Sequence, residues 1–245
     1  MNDNNRGILI PFAVILALGF IIGAVIIGNT WKNVSRGNVT ITVTGSAQKE
    51  IRSDLATWNA TFSNEGGDMQ ETYAMLQISN NKVKDYLVSK GFPADKLVFS
   101  SINTTVLHPK NAQGYATDEV SGYRLSQDVS LESNDVDKVD LLSREVTELI
   151  NQDVEISSNP PQFFYTKLSD LKVEMIGLAS KDAKTRAEQI ANSTDNEIGE
   201  VRSSRMGVIQ INAKNSTDIS DYGMNDVSSL DKTITAVVSV SFSIE

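Results

Sequence analysis

The 245-residue chain sets 22 Lys and Arg against 31 Asp and Glu, a formal net charge of −9. That balance argues against a nucleic-acid partner, whose phosphates need clustered cations, and against a body lying on anionic lipid. The chain has no cysteine, which excludes disulfides, thiolate catalysis and zinc–cysteine sites.

The first element is the run from Gly7 to Gly28, GILIPFAVILALGFIIGAVIIG, without a charged residue. A helix rises about 1.5 Å per residue, so this run spans roughly 30 Å, the thickness of a bilayer's hydrocarbon core. A cleavable signal has an apolar core of about 7–15 residues and a small-x-small site. This run is longer and no A-x-A follows it, so an uncleaved N-terminal transmembrane helix is preferred to a cleaved signal. Trp31 and Lys32 suit the far membrane interface. Gly19 and Gly23 form a GxxxG pair, and Ala13/Ala17 and Ala24/Gly28 repeat the spacing. Such spacing lets helix backbones approach, which makes Ala13, Ala17, Gly19 and Gly23 candidates for membrane helix packing; the competing reading is that Gly and Ala are common in membrane helices. Arg6 stands on one side and Lys32 and Arg36 on the other, so charge leaves the orientation open or leans towards a cytoplasmic body. The first thirty residues hold one Asp and one Arg, so the rest carries the whole −9. Residues 1–36 read as anchor and linker and 37–245 as an ectodomain, either one large domain or two small lobes.

Val39, Ile41 and Val43 alternate with Thr40, Thr42 and Thr44, a strand that Gly45-Ser46 is expected to break. A second strand, about Asp54 to Ser63, puts Ala56, Trp58, Ala60 and Phe62 on one face and ends at Gly66-Gly67. Asp68 can cap a helix carrying Met69, Tyr73, Leu76, Asn80, Val83 and Leu87 at spacings of three and four. Gly91 is placed for a left-handed cap and Pro93 blocks continuation. Leu97 to Leu107 reads as a third strand, Lys110–Val120 as a polar loop, and Tyr123 to Leu131 as a fourth strand closing a long hairpin.

Asn134 or Ser133 is expected to cap a second helix, about Val136 to Asn151. Pro160-Pro161 marks a break, followed by a short apolar strand from Gln162 to Lys167. The third helix, about Ser169 to Asn192, carries the row Ala179, Ala183, Ala187 and Ala191, whose small side chains allow close approach. Val201 to Ile211 is a strand region, Asn212–Asp231 a polar loop expected to be mobile. Ile234 to Ile244 alternates as a final strand. The class is therefore α+β: a mostly antiparallel sheet packed with three helices, preceded by one transmembrane helix.

Candidate chemistry is sparse. His108 is the only histidine, and at a strand end before Pro109 it reads as a surface residue, with no Ser or Asp arrangement to make it catalytic. No phosphate loop or dinucleotide fingerprint is present. The pairs Asp118/Glu119 and Asp135/Asp137 fall at loop and cap positions where solvation is their role. Asp218, Asp221, Asp226 and Asp231 offer oxygens to Ca²⁺ but lack the EF-hand order and its terminal bidentate Glu. Phe163-Phe164-Tyr165 is either core or a partner surface, with core preferred. No catalytic residue, cofactor or metal is expected.

Four stretches, taken in order, resemble the SIMPL-domain family of envelope proteins, which includes the Brucella outer-antigen type. ITVTGSAQKEIRSDLATWNATF is similar to the family's opening V-x-G-x-G strand and Pro-Asp strand; Gly45 and Asp54 remain, while Ser46-Ala47 and Ser53 replace the usual residues. YRLSQDVSLESNDVDKVDLLSREV matches a strand and helix. LASKDAKTRAEQIA resembles the A-x-x-D-A-x-x-K-A-x-x-L-A helix, with Arg186 near the usual Lys, and ITAVVSVSFSIE the terminal strand. NSTDNEIGEV departs from the glycine-led turn, with Gly199 alone matching.

The resemblance implies an α+β fold, an ectodomain in the periplasm or extracellular space, no established catalytic site, oligomers in some members and a link to oxidative-stress tolerance in others. The expectation is a non-enzymatic, membrane-anchored protein that self-associates, with sheet edges such as the Ile234–Ile244 strand or its neighbours as contacts. The alternative is a binding module that holds a partner protein or ligand in loops 110–120 and 212–231.

Overall fold

The computed structural model describes residues 6–36 and 39–244, with side chains described at 14, 16–30 and 39–244. The class is α+β, with antiparallel pairing and four α-helices among the described residues. The chain divides into two compact units. One comprises Met1–Ala47, Lys172–Val208 and Thr235–Glu245; the other comprises Gln48–Leu171 and Ile209–Ile234.

Helix α1 runs Arg6–Arg36. Among the described residues no helix is long and apolar enough to cross a membrane. The side chains of the first part of the Gly7–Gly28 run, Ala13 included, lie outside the described residues.

The remaining elements follow in chain order: β1 (Thr40–Arg52), β2 (Leu55–Gly66), α2 (Met69–Ser89), β3 (Val98–Phe99), β4 (Asn103–Leu107), β5 (Gly122–Ser133), α3 (Val136–Glu145), β6 (Glu155–Ser158), β7 (Gln162–Phe164), α4 (Leu168–Asn192), β8 (Ile198–Met206), β9 (Gln210–Ala213) and β10 (Asp231–Ile244).

In the first unit, β10 lies between β1 and β8. The final strand is therefore not an edge, which corrects the sequence expectation; its neighbours β1 and β8 are. Gly45 does not break β1. It is the point where α4 lies against the strand, because a Cβ there would sit 2.2 Å from the Ala179 carbonyl oxygen and 2.3 Å from the Ala183 nitrogen. The alanine row 179, 183, 187 and 191 is buried, so the small residues of helix and strand admit each other. Asp182, beside that row, accepts the Ser46 backbone N–H at 2.8 Å and the Arg186 Nε–H at 2.8 Å. β8 differs from its neighbour. It pairs with β10 through two register irregularities, at Ser241/Phe242 and Phe242/Ile244, and residues 200–206 are all exposed.

In the second unit a six-stranded sheet runs β3-β5-β2-β6, with β4 beside β5 and β7 beside β2. The inward residues of β2 (Ala56, Trp58, Ala60 and Phe62) form one core with Leu125, Val129 and Leu131 of β5. Leu76, Val83 and Leu87 of α2 and Val139 and Leu142 of α3 cover that face. The Asp68 carboxylate accepts from the Gln70 and Glu71 N–H groups, and Gly91 takes a left-handed φ of +84°. Both ends of α2 are as the sequence predicts.

α3 is different. Its cap is Asp135, accepting from the Lys138 N–H, while Asn134 donates to the Asp54 carbonyl. Its last turns tighten into a 3₁₀ segment, Val146–Gln152, that ends at left-handed Asp153. The expected strands Leu97–Leu107 and Val201–Ile211 are each two strands, and that at Gln162–Lys167 stops at Phe164.

Candidate functional site

The residues singled out in the sequence do not converge. On α1, a Cβ built at Gly19 or Gly23 meets nothing within 4 Å, and Ala17 is exposed, so no described part of the chain covers that face. His108 is exposed, and its Nδ1–H donates to the Glu119 carbonyl at 2.9 Å. Asp135 is a helix cap. Asp137 faces Arg52 at 2.5 Å, and Asp231 faces the same guanidinium at 3.4 Å. Among the described residues no group of three or more His, Cys, Asp and Glu is placed to hold a metal ion. Phe163 belongs to the core.

The second unit carries a cleft of about 990 Å³ on the face of the sheet opposite α2 and α3. The same alternation that buries Trp58 turns Thr57 and Asn59 outward. In the β2–β5 register Thr57 stands across from Glu132 and Asn59 across from Ser130; Gln162 of β7 stands beside Thr57. The floor is thus polar. Asp95 and Lys96 form one wall, Asn159, Pro160 and Pro161 another, and Val227 and Ser228 a third. Loop 212–231 reaches this cleft through Val227 and Ser228; loop 110–120 is absent from its lining.

Loop 212–231 is irregular, as its composition implies, but densely bonded. From β9, Gln210 donates to the Ser220 carbonyl and Asn212 to the Asp218 carbonyl, each at 2.6 Å. Both amides are buried, and their own carbonyl oxygens have no partner. The Ile211 N–H donates to Met224 O and the Asp226 N–H to Ile211 O, both at 2.9 Å. At the foot of the loop, Lys232 is only 2% exposed. Its ammonium donates to Phe163 O at 2.6 Å and to Asp226 O at 2.5 Å. Burial pushes the Lys232 ammonium down from its ordinary value, and the nearby Asp226 charge opposes that shift.

The loop thereby presents two large apolar side chains with no cover. Ile219 is 84% exposed and Tyr222 97% exposed. Tyr222 sits in a turn closed by Gly223 N–H to Ser220 O at 3.1 Å. Sequence reasoning did not single out these two residues or Lys232. The signal for Lys232 was present: it occupies the inward register of the Ile234, Ala236 and Val238 alternation. Nothing in the spacing around Ile219 distinguishes an exposed apolar residue from a buried one.

No curated protein sequence matches the chain. The profile of the SIMPL family, described as a protein of unknown function (DUF541), matches residues 41–242. That span holds the Gly45–Ala183 contact, the Ser46–Asp182 bond, the large sheet and the cleft, and the chain belongs to the SIMPL family.

Proposed function

We propose that this chain is a non-enzymatic, membrane-anchored extracytoplasmic protein that self-associates into an envelope assembly. The observation that carries this reading is β8. Among the described residues it is paired on one side only, and every residue from 200 to 206 is exposed. Val201, Met206 and, just beyond, Val208 are 58%, 56% and 43% exposed. An edge strand left uncovered, with large apolar side chains along it, is a surface for another chain. β1, the opposite edge, is less available, since its Ser46 N–H is held by Asp182. The anchor would concentrate copies in two dimensions, and the uncovered Gly19/Gly23 face of α1 would add a second contact.

The test is the mass of the full-length protein in mild detergent beside a chain starting near Arg36. One discrete species of the same subunit number from both is expected if the ectodomain carries assembly. Association of the full-length protein alone would move it to α1, and monomers from both would end the proposal.

The roughly 990 Å³ cleft favours a second reading, a binding module for a polar ligand or partner. Unchanged ligand or partner binding after Asn59→Ala and Gln162→Ala would remove the cleft from consideration.

A further inference from the structure

The large sheet of the second unit ends in an edge of a different kind from β8. Among the described residues β4 pairs with β5 alone, and its register is constant over five pairs, from Asn103↔Ser126 to Leu107↔Gly122. No residue from Leu97 to Leu107 is charged. Asn103, Thr104, Thr105 and Val106 are exposed. Natural edges are blunted by charge, proline or a bulge; β4 has none of these.

The hydrogen bonds around β5 show which main-chain groups of β4 are free. The Ser100 N–H donates to the Asp128 carbonyl at 2.9 Å, and the Asp128 N–H donates to Ser100 Oγ at 3.0 Å. Successive residues of a strand point these groups to opposite sides. Ser126, Arg124 and Gly122 therefore point the same way as Asp128, and their partners Asn103, Thr105 and Leu107 point back at β5. The Leu107 carbonyl accordingly accepts the Ser121 N–H at 2.8 Å. Thr104 and Val106 are left with their N–H and C=O groups on the open side.

The occupant follows from what β4 lacks. A foreign strand is selected at a sheet edge by pockets for its alternate side chains. Both faces of β4 are exposed, so it offers no pockets. A second β4 fits without them. Antiparallel pairing about Thr105 sets Thr105 against Thr105 and Thr104 against Val106, with no charges opposed. Thr–Thr is a favourable cross-strand pair. In a chain of net charge −9, an uncharged edge is where two copies meet without repulsion along the contact.

We propose that β4 of one copy pairs antiparallel with β4 of a second copy about Thr105, joining their large sheets. The inference rests on self-association as proposed above and adds a second surface, with main-chain bonds at Thr104 and Val106. The contact is isologous, so it closes on a pair and uses up both edges.

The chain has no cysteine, so one introduced thiol reports the contact. Thr105 would face its copy in a non-hydrogen-bonded pair, with Cα atoms about 4.5 Å apart, inside disulfide range. Two copies of Asn103 would lie four residues out of step, roughly 13 Å apart. The full-length protein in mild detergent is treated with a mild oxidant. Thr105→Cys should form a covalent dimer, and Asn103→Cys should form at least tenfold less. Sedimentation of Val106→Pro should show half-association at about tenfold higher concentration or more, since proline removes an outward N–H and leaves the bonds to β5. Circular dichroism of each variant should match the parent. If the parent associates but Thr105→Cys does not cross-link, or Val106→Pro associates like the parent, the β4 pairing is wrong while self-association stands. Equal cross-linking at 103 and 105 also overturns the pairing. A parent that is monomeric throughout overturns both.

Discussion

Gly45 and Ala183 touch so closely that the strand has no room for a side chain. A Cβ on Gly45 would lie 2.7 Å from Ala183 Cα and closer still to the Ala183 nitrogen and the Ala179 oxygen. All three are helix backbone atoms, which cannot rotate away. Gly45→Ala must therefore push α4 off β1, at roughly 1–3 kcal/mol for an overpacked contact. Hydrogen exchange should show faster opening of β1 residues 40–47 and of α4, with α2 and α3 unchanged. Native protection in α4 would show the contact to be looser than the geometry requires.

The Ser46–Asp182 bond makes the same junction sensitive to acid. The Ser46 N–H, helped by Arg186 and opposed by partial desolvation, holds the Asp182 carboxyl below its ordinary value of 3.8. A carboxyl lowered in the folded state adds stability above that value and loses it as pH falls through the folded value. The parent should be more stable than Asp182→Asn at pH 6, and the gap should close below about pH 3.8. Denaturant unfolding at the two pH values checks this; a gap independent of pH would remove the ionised carboxylate from the account.

Lys232 ties the loop to β7. Lys232→Met would leave Phe163 O and Asp226 O without their donor, and buried unpaired carbonyls cost about 1–3 kcal/mol each. Destabilisation of roughly 2–4 kcal/mol is expected, less if water enters. Residues 214–230 should become cleavable by a nonspecific protease under native conditions. A loop that stays resistant would mean that Gln210 and Asn212 hold it without the lysine.

Leucine at Gly19 and Gly23 meets no described atom within 4 Å of the added Cβ. The double variant should therefore keep the parent's unfolding curve. In mild detergent the full chain should keep its subunit number but reach half-association at a higher protein concentration. An unaltered concentration dependence would remove the Gly19/Gly23 face as a contact.

The alternating strands and the three helices after α1 could be read from residues because one face of each is apolar, and periodicity records burial. Asp68 and Gly91 were legible as caps for the same local reason. The misread positions are those where tertiary contact overrides local preference. Gly45 looks like a strand breaker, yet the helix above it is what requires glycine. Asp135 displaces Asn134 and Ser133 as the cap because Asn134 is drawn to the Asp54 carbonyl. The final strand looks like an edge because its hydroxyl face is polar, but β1 covers one side: Thr42 and Ser241 bond each other at 2.6 Å. The candidate surface was least legible, since exposure of Ile219, Tyr222 or Val201 depends on which segments fail to cover them.

The two register irregularities where β8 meets β10 decide what sort of polymer this edge can make. Each leaves a residue out of step and increases the local twist. A strand so bent cannot template a long, continuous main-chain ladder, the route by which uncovered edges grow into fibrils. Any contact made at β8 would then rest mainly on side chains, charged ones among them. Such contacts come apart when salt screens them, so an assembly built on this edge should dissolve reversibly as ionic strength rises.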